Sequence, residues 1–412
     1  IGMSVDANVL IFERIREELK AGKGIKLAIS DGYKNAYSSI IDANLTTLLT
    51  GLILLFLGKG PISGFAIILV IGILTSLFCS IFLTRLIFEW MLKREQNVTF
   101  GSKATMKAFE NFNWNFIGKR KIAYVISGIV IVGGLASLFT KGLNLSVDFK
   151  GGRSYIVAYQ DNQDVEPVRG ALTTVFESQP EVKTFGGADK HKITTDYRID
   201  DKSEGVDKDV QAALEKGLDE SVGAGNYTIE KVQKSGPTFA RDIKIAAIWS
   251  IVIGLIGIFI YVVARFRKWQ FGLGALLALF HDVLFVLGLF SIFWKIFPFN
   301  LEVDQAFIAA ILTVVGYSIN DTVVVFDRIR ESLNLHTKAP LKDTINSALN
   351  KTVSRTFITS LTTLLVIAIL FVFGGEILRG FSFALLIGVL VGTYSSLFIA
   401  TPVVVDFDKS DR

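Results

Sequence analysis

Apolar runs of about twenty residues decide what this chain can fold into. They fall at about 40–57, 64–91, 121–140, 243–264, 271–294, 303–326, 356–373 and 380–405. A run of that length crosses the hydrocarbon core of a bilayer as one helix. Within the bilayer each backbone polar group must be satisfied inside its own segment, which helices achieve. The chain is 51% hydrophobic with 33 phenylalanines, more apolar than a soluble protein of its length. A β-barrel would show short alternating segments instead. The fold class that follows is an all-α polytopic membrane bundle with a parallel internal repeat, plus one small α+β ferredoxin-like domain.

The lysines and arginines assign the sides. Segments 13–38, 85–121, 265–268 and 327–355 are rich in them and are expected on the cytoplasmic face, where short basic loops accumulate. The loops at 58–63, 295–302 and 374–380 hold one basic residue at most and belong on the other side, with the tight turn Gly58-Lys59-Gly60-Pro61 among them. The net charge of +5 is distributed as topology signals, so no nucleic-acid face is expected. The lone cysteine, Cys79, excludes an internal disulfide and is expected to be a small core residue.

The organisation reads as a membrane segment at 1–95, a basic linker at 96–120, a single span at 121–140, an α+β domain at 141–242 and a five-span bundle at 243–412. Phe112, Trp114 and Phe116 in the linker are expected at the headgroup level. The 141–242 stretch is the size of a small domain. Its pattern predicts extended chain over Leu145–Gln160 broken at Gly151-Gly152, helices over Asp164–Ser178 and Val206–Val222, and strands over Glu181–Phe185, His191–Ile199 and Tyr227–Lys234. That order suggests a split βαβ, ferredoxin-like fold. His191 stands alone and is expected on the surface.

Two stretches resemble each other: GMSVDANVLIFERIRE at 2–17 and GYSINDTVVVFDRIRE at 316–331, identical at eight of sixteen positions. The carboxylate moves by one place, so that Asp6 aligns with Asn320 and Ala7 with Asp321. Leu45-Thr46-Thr47-Leu48-Leu49 recurs at 361–365, Gly64-Phe65 at 380–381 and Gly72 at Gly388. Both copies have the same orientation by charge, which makes the repeat parallel, an architecture of transporters. The second copy has an apolar lead-in, Val303–Val315, that the first lacks. The reading therefore expects more chain before residue 1.

Charged groups inside spans are rare, costly and usually functional. Asp321 stands roughly 27 Å along its helix from Val303, and Arg355 roughly 28 Å from Gly374 on the next span, so the two share a depth near the cytoplasmic side. Asp6 is the carboxylate of the other copy, where Ser39 aligns with Arg355. A carboxylate whose arginine can move away is a protonation switch. Asn320, Thr322, Asn8, Thr359, Thr362 and Thr363 would supply a polar lining. His281-Asp282 lies mid-span and would suit a proton relay; a helix-packing hydrogen bond is the alternative. No P-loop and no metal-ligand spacing occurs. The charged run at 326–331 could touch a partner or lipid headgroups. Glycines such as Gly64, Gly72, Gly288 and Gly388 are expected at close helix contacts.

These motifs, with DFKGG at 148–152, HDV at 281–283 and SRTFITSLTT at 354–363, resemble the SecDF family within the resistance-nodulation-division superfamily. Residues 1–95 resemble the last spans of a SecD half, and those from about 105 onward a SecF half. The resemblance implies an auxiliary component of the Sec machinery in the bacterial cytoplasmic (inner) membrane, with domain 141–242 periplasmic. It also implies a proton- or sodium-driven cycle that promotes late steps of preprotein translocation, not an enzymatic reaction. Its implied partners are the SecYEG translocon, YajC-like and YidC-like membrane proteins, the translocating preprotein and the lipid bilayer. H⁺ or Na⁺ would be the coupling ion, with no other cofactor and no metal. Asp6, Asp321 and Arg355 fall on the family's coupling residues; Asp148, Gly151 and Gly152 are a family marker at the domain entry. Two rivals are a small-molecule or lipid exporter of the same superfamily and a non-transporting translocon scaffold.

Overall fold

The computed structural model describes residues 2–58, 61–96, 98–100, 112–297 and 299–408. Residues 59–60 of the turn and 97 and 101–111 of the linker thus lie outside the described residues. The chain begins with helices α1 (Gly2–Lys20), α2 (Ile25–Leu57), α3 (Pro61–Phe78) and α4 (Thr84–Lys93), the last two joined by a π turn at Cys79–Leu83. Helix α5 (Arg120–Thr140) leads through a short α6 (Val147–Lys150) into the α+β domain. There β1 (Gly152–Tyr159), α7 (Val165–Phe176), β2 (Glu181–Thr184), β3 (Lys190–Thr195), α8 (Val206–Val222) and β4 (Tyr227–Ser235) follow in order. The chain then returns through α9 (Pro237–Phe266), α10 (Trp269–Phe293), α11 (Gln305–Leu335), α12 (Leu341–Phe373) and α13 (Gly375–Ser395). A second π turn, Ser396–Ala400, leads to α14 (Thr401–Phe407).

Among the described residues eight helices are long and apolar enough to cross a membrane. They extend past their apolar runs. Helix α2 starts at Ile25, within the stretch read as a charged connection, and α11 continues through the charged motif to Leu335. Burial differs sharply among them. The most apolar window of α11 is 94% buried, against 22% for α5. Helix α11 is therefore the axis of the bundle. The outward residues of α5, Ile122, Val125, Ile126, Ile129 and Val132, are left exposed by the protein as a lipid-facing helix requires.

Helix α5 still docks tightly, because glycine meets glycine. A Cβ on Gly134 would stand 2.9 Å from Gly288 Cα on α10, and one on Gly288 would stand 2.8 Å from Gly134 Cα. With no side chains there, the helices approach closely and the Ser137 and Ser291 hydroxyls meet at 2.9 Å. Gly64 and Gly72, in contrast, meet nothing within 4 Å, so the close-contact expectation fails at those two. Cys79 also differs from expectation: it sits partly exposed in the first π turn. Phe116 is buried against Phe398, and Trp114 is pinned by Asn346 and Asn350 of α12.

In the α+β domain the four strands order as β2-β3-β1-β4, with every neighbouring pair antiparallel. Alternation along β1 sends Tyr155, Val157 and Tyr159 into the core beneath α7 and α8, with Leu172, Phe176, Ile193 and Leu214. Ser154 and Ile156 face the opposite way, toward the membrane bundle. Val147–Lys150, expected to be extended, forms one helical turn because Ser146 caps it through the Asp148 amide. His191 is fully buried, not on the surface. Its ring nitrogens lie 3.1 Å from the Tyr159 hydroxyl and from the Gln163 carbonyl oxygen. Burial lowers its pKa, so the neutral ring is favoured.

The Gly134–Gly288 contact makes a direct test. Gly134→Val is expected to cost about 1–3 kcal/mol by overpacking, read as a lower melting temperature in detergent. Gly128→Val, on the same helix but with open space around it, is expected to leave melting unchanged.

Candidate functional site

The two motif copies lie side by side around one buried cluster. Arg355 of α12 is 3% exposed, and its Nη2 donates to Asp6 Oδ1 at 2.9 Å. Its Nη1 stands 4.0 Å from Asp321 Oδ1. Asn320 donates from Nδ2 to Asp6 Oδ2 at 2.8 Å, and the Thr356 hydroxyl donates to Asp321 Oδ1 at 3.0 Å. The arginine is therefore hydrogen-bonded to the carboxylate of the first copy and within ion-pair range of that of the second, the two carboxylates that the sequence reading grouped with it. The one-residue shift between the copies explains this. It turns Asp6 and Asp321 to different faces of their helices, and only Asp6 meets Nη2.

The cluster is under-satisfied. Asp321 Oδ2, Arg355 Nε, Arg355 Nη1 and Asn320 Oδ1 are all buried without a hydrogen-bond partner. Asn8 Oδ1 is in the same condition. Buried ions normally have their remaining valences filled, because each open one costs free energy. Asp321 with a free oxygen can take up a proton without breaking a bond it already makes.

The other polar candidates have prior engagements. The Thr322 hydroxyl pairs with Ser396 at 2.8 Å. Thr359 bonds the carbonyl oxygens of Arg355 and Thr356, and Thr362 and Thr363 each bond that of Thr359. These hydroxyls donate to backbone within α12 and keep their oxygen lone pairs. Tyr317 reaches Ser360 at 3.3 Å, and Ser360 reaches Thr393 at 2.6 Å, which ties α11 through α12 to α13.

His281 and Asp282 form a separate buried network. His281 Nδ1 lies 2.9 Å from Asp282 Oδ1, and Nε2 lies 3.1 Å from the Ser127 hydroxyl of α5. Asp282 Oδ2 accepts from Ser318 of α11 at 2.6 Å and from Ser395 of α13 at 2.8 Å. Each of these groups is satisfied, and the network joins four helices. It approaches the ion cluster at the second π turn, where consecutive Ser395 and Ser396 serve Asp282 and Thr322 respectively.

The charged ends of the motifs hold a feature that the sequence reading missed. Arg14 bonds Glu331 at 2.9 Å, and Arg328 bonds Glu17 at 2.5 Å. Each arginine also bonds the glutamate three residues later on its own helix at 2.9 Å. The same Arg and Glu positions of the two copies thus grip each other reciprocally. A charged face that could have met lipid or a partner instead meets its twin; the identical spacing was the available signal. Ser39, which aligns with Arg355, donates to Asp327 at 2.6 Å. A cavity of about 20 Å³ between this layer and the cluster is lined by Glu13, Ser39, Asp327 and Arg355, room for about one water.

Asp148, Gly151 and Gly152 lie apart from the ion cluster, at the joint between domain and bundle. Phe149 packs in the bundle core and Asp148 accepts from Gln233 of β4 at 2.8 Å. Gly151 and Gly152 have φ of 80° and 130°, a region other residues rarely adopt. A Cβ on Gly152 would also press to 2.9 Å from the Thr195 carbonyl oxygen. The glycine pair turns the chain out of the bundle and into β1. Among the described residues no group of three or more His, Cys, Asp and Glu could hold a metal ion.

Comparison with known proteins gives concordant matches. The family described as "Protein export membrane protein SecD/SecF, C-terminal" matches residues 1–94 and 215–410, and the SecD/SecF GG motif matches 136–163. The protein translocase subunit SecF of Rhodothermus marinus is 48% identical over 301 residues, covering 73% of this chain and 95% of its own length. The protein translocase subunit SecDF of Brucella abortus is 35% identical, covering 100% of this chain but 53% of its own. The crystal structure of SecDF from Thermus thermophilus, described as a translocon-associated membrane protein, superposes with a TM-score of 0.85 at 33% identity. It covers 98% of this chain and 53% of its own. The chain spans about half the length of these SecDF relatives.

A double-mutant cycle tests which carboxylate Arg355 engages. Unfolding in detergent is expected to give an Arg355–Asp6 coupling of about 1.5–3 kcal/mol, typical of a hydrogen bond to a charged group. The Arg355–Asp321 coupling is expected to be smaller.

Proposed function

The chain belongs to the SecD/SecF family of protein-export membrane proteins, and we propose that it forms the membrane motor of a protein translocase. In this reading it uses the proton-motive force to promote late steps of preprotein translocation. The chain is multi-pass; its membrane is the bacterial cytoplasmic one, and the 141–242 domain faces the periplasm. It works beside the SecYEG translocon with YajC-like and YidC-like membrane proteins.

One observation carries the reading: a single buried arginine between two carboxylates from two copies of one motif, with open valences on both sides. A proton on the open oxygen of Asp321 leaves Asp6 as the anion that holds the guanidinium. Release of that proton gives the guanidinium a second anion, 4.0 Å from Nη1. Renewed uptake restores the first state. Each exchange shifts α12 relative to α1 and α11. The membrane potential supplies about 2.3 kcal/mol per elementary charge per 100 mV, enough to bias such a swing.

Several features support the finer parts of this account. The two π turns occupy matching places after the glycine-containing spans, which agrees with a parallel repeat about an axis through the ion cluster. The β2-β3-β1-β4 order with two helices on one face is the arrangement of a ferredoxin-like domain. For the ion itself, a proton needs one open carboxylate oxygen, and Asp321 Oδ2 is one. Na⁺ would want several oxygens; Asn320 Oδ1 and Asn8 Oδ1 are open, and the threonine hydroxyls that donate to backbone keep their lone pairs. We take H⁺ as the assignment that needs the fewest ligands, and replacement of Na⁺ in the assay below separates the two.

The test is ion-dependent current and preprotein export with the full-length protein in proteoliposomes. Asp6→Asn, Asp321→Asn and Arg355→Ala are each expected to reduce both by at least about tenfold, the range for loss of a group that handles a proton. Currents should follow the proton gradient and ignore replacement of Na⁺. Currents and export unchanged in Asp321→Asn would leave the scaffold reading in place of the motor.

A further inference from the structure

Helix α11, which carries Asp321, begins at a polar joint with the α+β domain. The segment before it is stitched to the domain entry by backbone. Val303 N donates to Asn144 O at 2.7 Å, and Ser146 N donates to Val303 O at 3.0 Å, a one-residue parallel bridge. The next contact is ionic: Lys192 of β3 bonds Glu302, with both side chains largely buried. Asp304 then caps α11, accepting from the Phe307 amide at 2.8 Å. A cavity of about 90 Å³ separates the sheet from this segment. Its domain wall holds Ser154, Lys192, Lys231 and Gln233; its bundle wall holds Glu302 and Asp304.

From this geometry we infer that Asp304 is a second proton-binding site, and that its protonated form latches the domain onto the start of α11. The inference rests on the motor reading only for the placement of this joint on the outer side. Two carboxylates, Glu302 and Asp304, both partly buried, flank one bonded lysine between sheet and bundle, and a third, Asp148, stands nearby on α6. Lys231 on β4 is the other cation on the cavity wall. Docking takes part of this excess negative charge out of water, so the interface favours taking up a proton. The capping oxygen survives the change, because a neutral carboxyl still accepts from the Phe307 amide.

The direction of the effect follows from linkage. Burial is the main cause that pushes Asp304 up to about 6; Glu302 and Asp148 add to it, while the Phe307 amide and Lys192 oppose it. With the domain lifted, Asp304 is in water and returns to the ordinary carboxylate range. The docked form thus binds the proton more tightly. Docking strengthens as the pH falls through about 6, and weakens above that. An acidic outer face, the side from which protons enter, would hold the domain down.

Pulsed dipolar distance measurements test this in the full-length protein in nanodiscs. Spin labels are placed at Lys216→Cys on α8 and Phe373→Cys at the end of α12, both exposed, with Cys79→Ser. Going from pH 5 to pH 8, a second and longer distance is expected to grow about tenfold relative to the docked one. Asp304→Asn keeps the neutral cap and is expected to show the docked distance at both values. Asp304→Ser keeps a capping oxygen without a titrating group, and is expected to lose the pH dependence as well. Lys192→Ala is expected to show the longer distance at both. Identical wild-type distributions at pH 5 and pH 8 would overturn the proposal, as would full pH dependence in Asp304→Asn. The readout is independent of current: a latch that persists while Asp321→Asn conducts normally would leave this inference standing and remove the motor.

Discussion

Arg355 is held out of water between two carboxylates, and much of the bundle is arranged around that fact. Removing an ion from water costs several kcal/mol even after the protein relaxes. The cost is offset only where geometry and hydrogen bonds are good. Here a 2.9 Å bond to Asp6 is good, and a 4.0 Å approach to Asp321 is not. Two guanidinium nitrogens remain open. A site built for stability alone would have closed them or replaced the ions with apolar side chains of similar volume. The arginine has one bonded anion and a second within ion-pair range, so its open valences face the carboxylate it does not bond.

The same motif performs a second, different task at its charged end. Arg14 with Glu331 and Arg328 with Glu17 clasp the two copies, and these groups are less deeply buried than Arg355. The bonds here are reciprocal, so neither copy is favoured. Within the span the balance is broken. Arginine stands on one side and Ser39 on the other, and the carboxylate is displaced by a residue. The charged ends are thus near-symmetric, and the asymmetry of the pair of copies is confined to the span.

Much of this was readable from residue order. The eight spans follow from apolar length alone, and Asp6, Asp321 and Arg355 stand out because charge in a span is costly. Depth along a helix is also a matter of counting, so the grouping of Asp321 with Arg355 could be anticipated. Which face of the helix each carboxylate takes could not. A one-residue offset rotates a side chain by about 100°, and the partner's rotation about its own axis is set by packing. His191 shows the same limit: a lone histidine carries no mark of whether a tyrosine and a carbonyl will meet it. The glycine pair of the GG motif is legible as a turn, but its role as a joint depends on Phe149 reaching the bundle core. The reciprocal clasp was visible in principle, since opposite charges at the same places in two copies can satisfy each other across a shared interface.

Helix α11 touches each of these parts. Asp304 caps its start, Asp321 lies roughly 26 Å further on and Glu331 about 15 Å beyond that. Because nearly all of its apolar window is buried, α11 cannot roll without disturbing packing on every side. Val314 already fills the space that a side chain at Gly388 would need. Its freedom is confined to small displacements between arrangements of its polar contacts. Those contacts are charge pairs and hydroxyl bonds, whose partners can be exchanged at lower cost than a packed apolar surface can be rebuilt. A proton moved at Asp6 or Asp321 therefore changes the forces on a rod whose other end is bonded, through Val303 and Glu302, to the α+β domain. The helix that carries Asp321 is thus joined at its start, by backbone and by an ion pair, to the α+β domain.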